Sequence, residues 1–178
     1  MGSIFKKKTD QPSGTKRVTI VRHGKSSWEY DGISDLDRPL LLRGINDAKK
    51  MAKRLPEEIA HPDKIISSPA NRALHTGVMF ARYLEYPFTD IIIDETIYGA
   101  YEEEIYKLLE SLDDSISSVF LFGHNPLVTN MVNLFRKSPI DNLPTTGVGS
   151  FSFDCAAWSD IRQSRVKSEY YDYPKRKV

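Results

Sequence analysis

Apolar residues recur along this chain with two alternating periods. Val18 to Val21 is a short β-branched run, the pattern of a buried strand. From Gly44 to about Glu58, Ile45, Ala48, Met51, Ala52 and Leu55 fall at helical spacing, and Pro56 closes the segment near its end. Lys64 to Ser67 reads as a second strand. Ser68 then reads as an N-cap with Pro69 at the first helical position, and the helix runs through Leu74 and Val78 to about Leu84. Ile91 to Ile93 is a third strand. Glu102 to Leu112 is a helix with acids at its positive end and Ile105, Leu108, Leu109 and Leu112 turned inward. Val119 to Phe122 is a very apolar strand, after which Asn125-Pro126 starts a helix that ends near Phe135. Gly149 to Asp154 and Arg165 to Tyr171 read as late strands. No internal repeat, low-complexity segment or domain linker interrupts the pattern.

Strands alternating with helices predict an α/β fold, a three-layer α/β/α sandwich around a mostly parallel sheet. Ligands of such sheets bind beyond the carboxyl ends of the strands. Three polar motifs fall at those ends. Arg22-His23-Gly24 follows the first strand, Ser67-Ser68-Pro69 with Arg72 follows the second, and Gly123-His124-Asn125-Pro126 follows the apolar strand. On parallel strands all three share one rim, and two of them aim helix N-termini at it, which favours an anion.

Composition narrows the class. The chain has 178 residues, 40% of them hydrophobic and 28% charged, which suits one soluble domain. No apolar run reaches the roughly 18 residues of a membrane span. The polar, Lys-rich opening from Met1 to Arg17 carries no apolar stretch after its lysines, so it reads as a disordered tail and not a secretory signal. Residues 18–174 read as a single domain and 175–178 as a basic tail. The lone Cys155 excludes an internal disulfide and a cysteine metal cluster, which points to the cytoplasm. The formal net charge of +1 hides eight basic residues in the terminal segments: Lys6, Lys7, Lys8, Lys16, Arg17, Lys175, Arg176 and Lys177. Without them and Asp10, the body is acidic, with 17 basic and 23 acidic residues. Such a body is a poor nucleic-acid binder, so any anion site must be local and built from a few arginines.

Those motifs suit phosphoryl transfer. A neutral imidazole nitrogen can attack phosphorus when its other nitrogen is held by a hydrogen bond that fixes the tautomer. The rest is positioning and neutralisation of the phosphoryl oxygens, for which the planar fork of arginine is suited. His23 is the expected nucleophile, Arg22 and Arg72 the clamps, and His124 a second donor, charged when a dianion is bound. Arg38 is a further substrate-binding candidate at the rim, with Ser26 beside it.

Arg22-His23-Gly24 resembles the signature of the histidine phosphatase superfamily. The fuller set resembles its SixA-type phosphohistidine phosphatase branch: Arg22 to Trp28, Ser34 to Leu40 with Arg43-Gly44, Ser67-Ser68-Pro69 with Arg72 and Thr76, and Gly123 to Pro126. The resemblance runs from about Val18 to about Trp158. It implies a phosphoglycerate mutase-like fold and a metal-independent phosphatase without a cofactor, working through a phosphorylated His23. It also implies phosphate-pocket roles for Arg22, Arg38, Arg72 and His124, with Asn125 beside them. Mutases of the superfamily carry a glutamate proton donor shortly after the third strand, and here Asp94 to Ala100 offers no carboxylate that matches it. The expected substrate is therefore phosphohistidine on a protein, with a small phosphomonoester as the enzymatic alternative and a non-catalytic phospho-ligand module as the other.

Several residues also have plainer readings. Arg38 could pair with Asp35 or Asp37 at the surface, and His75 could simply face solvent. Glu102, Glu103 and Glu104 read as an exposed acidic helix start. Trp28 and Tyr30 could wall a pocket or anchor their loop. The four histidines lack the spacing of metal ligands.

Overall fold

The computed structural model describes residues 14–29 and 31–176. The expectations for the tail up to Ser13, for Tyr30 and for the last two residues lie outside the described residues. Among the described residues six strands and four α-helices follow in order: β1 (Thr15–Arg22), α1 (Leu42–Arg54), β2 (Lys64–Ser67), α2 (Asn71–Tyr83), β3 (Ile92–Ile93), α3 (Glu102–Glu110), β4 (Ser118–Gly123), α4 (Leu127–Phe135), β5 (Val148–Asp154) and β6 (Val166–Asp172). The sheet order is β3-β2-β4-β1-β5-β6. β1, β2, β3 and β4 are mutually parallel, whereas β5 pairs antiparallel with both β1 and β6.

The side-chain alternation of a strand sorts the core into two layers. Val18, Ile20, Ile66, Val119 and Leu121 face α3 and α4, while Val21, Ile65, Phe120 and Phe122 face α1 and α2. Both faces of the central strands are therefore apolar, as the unbroken hydrophobic runs require.

Three departures from the expected boundaries exceed a residue or two of fraying or bear on the rim. β1 begins at Thr15, and Thr15, Lys16 and Arg17 are buried where a tail was expected, because β5 extends the ladder to Thr15↔Asp154. α1 spans Leu42–Arg54, starting a half-turn earlier and ending before Pro56. α2 begins at Asn71 with Ala70 as its N-cap, so Ser68 does not cap it. Ser68 Oγ lies 3.4 Å from the Ala70 amide and makes a closer bond to a histidine of the rim.

Candidate active site

The register brings the motifs level. Arg22 pairs with Gly123 at the ends of β1 and β4, and Ser67 pairs with Phe122. His23, Ser68 and His124 thus step off one edge together, and the rings of His23 and His124 lie 5.1 Å apart.

Two glycines let the surrounding backbone close in. A Cβ on Gly24 would lie 3.0 Å from the Gly44 carbonyl, and one on Gly44 would lie 2.3 Å from the Lys25 carbonyl. The start of α1 is consequently packed against the loop after His23, where Leu41 N–H donates to Lys25 O at 2.9 Å. On the other side Gly24 N–H donates to Thr76 Oγ1 at 2.9 Å, and that hydroxyl donates to Arg72 O at 2.6 Å.

His23 Nδ1 is 2.7 Å from the Gly24 carbonyl. A carbonyl only accepts, so Nδ1 carries the proton and Nε2 keeps its lone pair. Burial lowers the His23 pKa to about 4, opposed by the Gly24 bond and assisted by Arg72, Arg22 and Arg38. The ring is neutral at pH 7. His124 Nε2 lies 2.8 Å from Ser68 Oγ, and burial, His23 and Arg72 lower its pKa to about 3.

The cations differ from one another. Arg22 donates through Nη1 to Leu143 O at 2.7 Å and to Asn142 Oδ1 at 3.1 Å. Arg72 is tied through Nη2 to Asp35 Oδ2 at 2.7 Å and through Nη1 to the Asp35 carbonyl. Arg22 Nε, Arg72 Nε and His124 Nδ1 are all buried with no hydrogen-bond partner among the described residues. Arg38 departs from the expected rim position: it is buried and each of its nitrogens is engaged, Nε by Ser27 O, Nη1 by Asp35 Oδ1 and Nη2 by Ser26 Oγ. Trp28 covers its guanidinium at 3.1 Å. Its pairing with Asp35 matches the plainer reading, with the arginine buried and the carboxylate 42% exposed. These groups line a cavity of about 200 Å³ with Lys25, Asn125 and Thr145. Ser26 is in the wall but spent on Arg38. Asn125 is likewise held, its Oδ1 accepting from Thr129 at 2.8 Å and its Nδ2 donating to Asn142 at 2.5 Å.

Three contributors, Tyr98, Asn142 and Thr146, escaped the motif search, and a fourth, Asp35, was read only as a surface partner of Arg38. Asp35 bridges Arg38 and Arg72 and accepts from Tyr98 Oη at 2.6 Å; that bond and the two arginines hold its carboxyl well below the usual carboxylate range. Tyr98 in turn stands edge-on to His124 at 5.5 Å. Asn142 links Arg22 to Asn125. Thr146, buried and β-branched at φ +60°, donates its N–H to both Arg22 O and His23 O at 3.1 and 3.2 Å. A left-handed threonine is costly and persists only where its surroundings over-determine it. The one available signal was the turn-rich Asp141-Asn142-Leu143-Pro144 stretch.

Between Asp94 and Ala100 the carboxylates are engaged locally or exposed: Asp94 caps a short turn through Thr96 N at 2.9 Å, and Glu95 is exposed. Glu103 pairs with Arg162 at 2.7 Å, and His75 is exposed. Among the described residues no three His, Cys, Asp or Glu side chains group as metal ligands, and no helix is long and apolar enough to cross a membrane.

The comparisons with known proteins bear on the fold and the family. An uncharacterised protein of Mycobacterium tuberculosis is 32% identical over 156 residues, 79% of this chain and 91% of that protein. The phosphohistidine phosphatase SixA of Escherichia coli is 27% identical over 117 residues, 65% of this chain and 71% of SixA. A solved protein histidine phosphatase SixA in complex with tungstate superposes with a TM-score of 0.72 at 21% identity, covering 89% of this chain and 97% of that one. The fold is also that of phosphoglycerate mutases. The sequence profile of the histidine phosphatase superfamily (branch 1) matches residues 18–144, and with a SixA-like fold around a paired-histidine rim the chain belongs to that superfamily.

Proposed function

We propose that this protein is a metal-independent phosphatase that hydrolyses phosphohistidine on proteins through a phosphorylated His23. The observation that carries the reading is the His23 ring: Nδ1–H is spent on Gly24 O, and Nε2 keeps its lone pair beside a cavity lined by Arg22, Arg72 and His124, each of which has a buried nitrogen with no partner among the described residues. Nε2 attacks phosphorus while the bond to the leaving imidazole breaks, and solvent protonates the departing ring. Water then attacks the phosphoryl group on His23, releasing phosphate and restoring Nε2. Arg22 and Arg72 neutralise the equatorial oxygens, which is most of what phosphoryl transfer asks of a protein. His124 takes up a proton when the dianion arrives, donating one N–H to Ser68 Oγ and offering the other to the phosphoryl group. Tungstate, a tetrahedral oxyanion, is bound by a SixA of the same fold, which supports an oxyanion pocket here.

Substrate class follows from the missing acid. An alkoxide leaves poorly unless a nearby acid protonates it. An imidazole, with a conjugate acid of pKa roughly 6.5, departs neutral without one. Rates should therefore rank phosphohistidine peptides and activated aryl phosphates above sugar phosphates, fall steeply with leaving-group pKa, and be unchanged by chelators. Rapid quenching should trap phosphate on His23 in acid-labile, base-stable form, and His23→Ala should abolish turnover while still binding tungstate. Full activity of His23→Ala, or loss with chelator and recovery with one divalent metal, would overturn the mechanism. A flat leaving-group dependence would instead favour a small phosphomonoester as substrate.

A further inference from the structure

Arg43 belongs to the motif that opens α1, yet it takes no part in the pocket around His23. It lies in a second cavity, of about 320 Å³, that shares Arg22 and Thr145 with the first. The close packing of Gly44 on Lys25 places Arg43 there. Another wall is the segment after β6, Tyr173-Pro174-Lys175. That wall is anchored: Lys50 Nζ donates to Pro174 O at 2.6 Å, and Arg54 pairs with Asp172 at 2.8 Å. Arg22, Arg43 and Lys175 thus face one carboxylate, Asp47, which reaches Arg43 only at 3.5 Å.

A third cavity, of about 270 Å³, adjoins the pocket on the other side through His124 and Asn125. Its charged side chain is Glu102, which accepts from Asn130 at 2.5 Å. A substrate carrying negative charge beyond its phosphoryl group meets repulsion on the Glu102 side and excess positive charge on the Arg43 side.

We propose that the Arg43–Lys175 cavity is a specificity subsite for a second anionic group of the substrate, a carboxylate or phosphate next to the phosphoryl group being removed. This rests on the phosphatase reading above. The group could come from acidic residues flanking a phosphohistidine or from a small phosphorylated carboxylic acid; the chemistry recognised is the same.

The test compares kcat/KM for phosphohistidine peptides flanked by glutamate or by alanine, for 3-phosphoglycerate against an uncharged alkyl phosphate, and for an aryl phosphate. Each is measured with the native chain and with the Arg43→Gln/Lys175→Gln variant. Two exposed cations should give roughly a tenfold preference for the acidic member of a series at low salt, shrinking as salt screens it. The double variant should lose that preference while aryl phosphate turnover stays within about twofold. A preference in the peptide series alone identifies a protein substrate, and in the ester series alone a small molecule. Equal rates within both series, or an equal loss on the aryl phosphate, would overturn the subsite. Absence of turnover on every substrate would sink the phosphatase reading instead. Calorimetric titration then decides the subsite separately: 3-phosphoglycerate should bind tighter than inorganic phosphate to the native chain and not to the double variant.

Discussion

Arg38 and Arg72 sit on the same carboxylate but are not equivalent. Arg72 is held at both terminal nitrogens by Asp35, lines the pocket and keeps a buried Nε with no partner among the described residues. Arg38 has every nitrogen engaged by the protein and its face covered by Trp28. Arg72→Ala should therefore lower kcat by about 2–4 kcal/mol of barrier, the scale for loss of one preorganised donor to developing charge. Arg38→Ala should act first on stability, by roughly 1–3 kcal/mol, because it leaves Asp35, Ser26 Oγ and Ser27 O short of a partner. Thermal unfolding and kcat corrected for the folded fraction separate the two. A kcat loss for Arg38→Ala as large as that for Arg72→Ala, at unchanged melting temperature, would show that Arg38 contacts the phosphoryl group directly.

Secondary-structure elements meet at the site through glycine backbone. Gly44 lies inside α1, where alanine would ordinarily gain about 1 kcal/mol in helix propensity. Its Cβ would stand 2.3 Å from the Lys25 carbonyl, which is backbone and cannot rotate away. The collision wins. Gly44→Ala should destabilise the fold by about 1–3 kcal/mol, the usual cost of overpacking. It should also reduce kcat, since the displaced loop carries the Gly24 carbonyl that holds His23 Nδ1. Denaturant unfolding with parallel kinetics checks both, and an unchanged or raised midpoint would mean that α1 can slide along the loop. The antiparallel β5 has a related origin. α4 brings the chain down from the rim, residues 136–147 climb back to it, and β5 then descends beside β1. That climb delivers Asn142, Leu143 and Thr146 to Arg22 and His23.

Across the whole molecule the two rim histidines couple the site to acid stability. Their pKa values are lowered to about 4 and about 3, whereas an unfolded histidine titrates near 6.5. Between pH 6.5 and 4 the unfolded chain therefore binds up to two more protons than the folded one, and stability falls as pH falls. Above 6.5 neither state is protonated at these rings and their contribution is level. Asp35, held below the usual carboxylate range, adds a further loss under about pH 4 in the same direction. The melting temperature should decline from pH 6.5 downward as the unfolding free energy falls by up to about 2.7 kcal/mol per pH unit, and His124→Asn should remove roughly half of that fall. A flat melting temperature over that interval would mean that the rings are not neutralised by burial.

Much of this protein was legible in its sequence, because much of it is periodic or contiguous. The apolar runs at Val18–Val21 and Val119–Phe122 have to be buried on both faces, which predicts the central parallel strands. Arg22-His23-Gly24 and Gly123-His124-Asn125 follow those strands directly, so their shared rim comes from chain order alone. Tertiary structure decided the rest. Ser68 carries the sequence signature of a helix cap, but here it bonds His124 across 56 positions of chain. Asp35 reads as one acid in a charged loop, yet it ties Arg38, Arg72 and Tyr98 together over separations of 3, 37 and 63 residues. Thr146 holds the backbone of His23 from a segment with no periodicity. The reason is physical: local sequence carries propensity and pattern, whereas hydrogen-bond partners that meet only when the chain closes on itself leave no pattern along it.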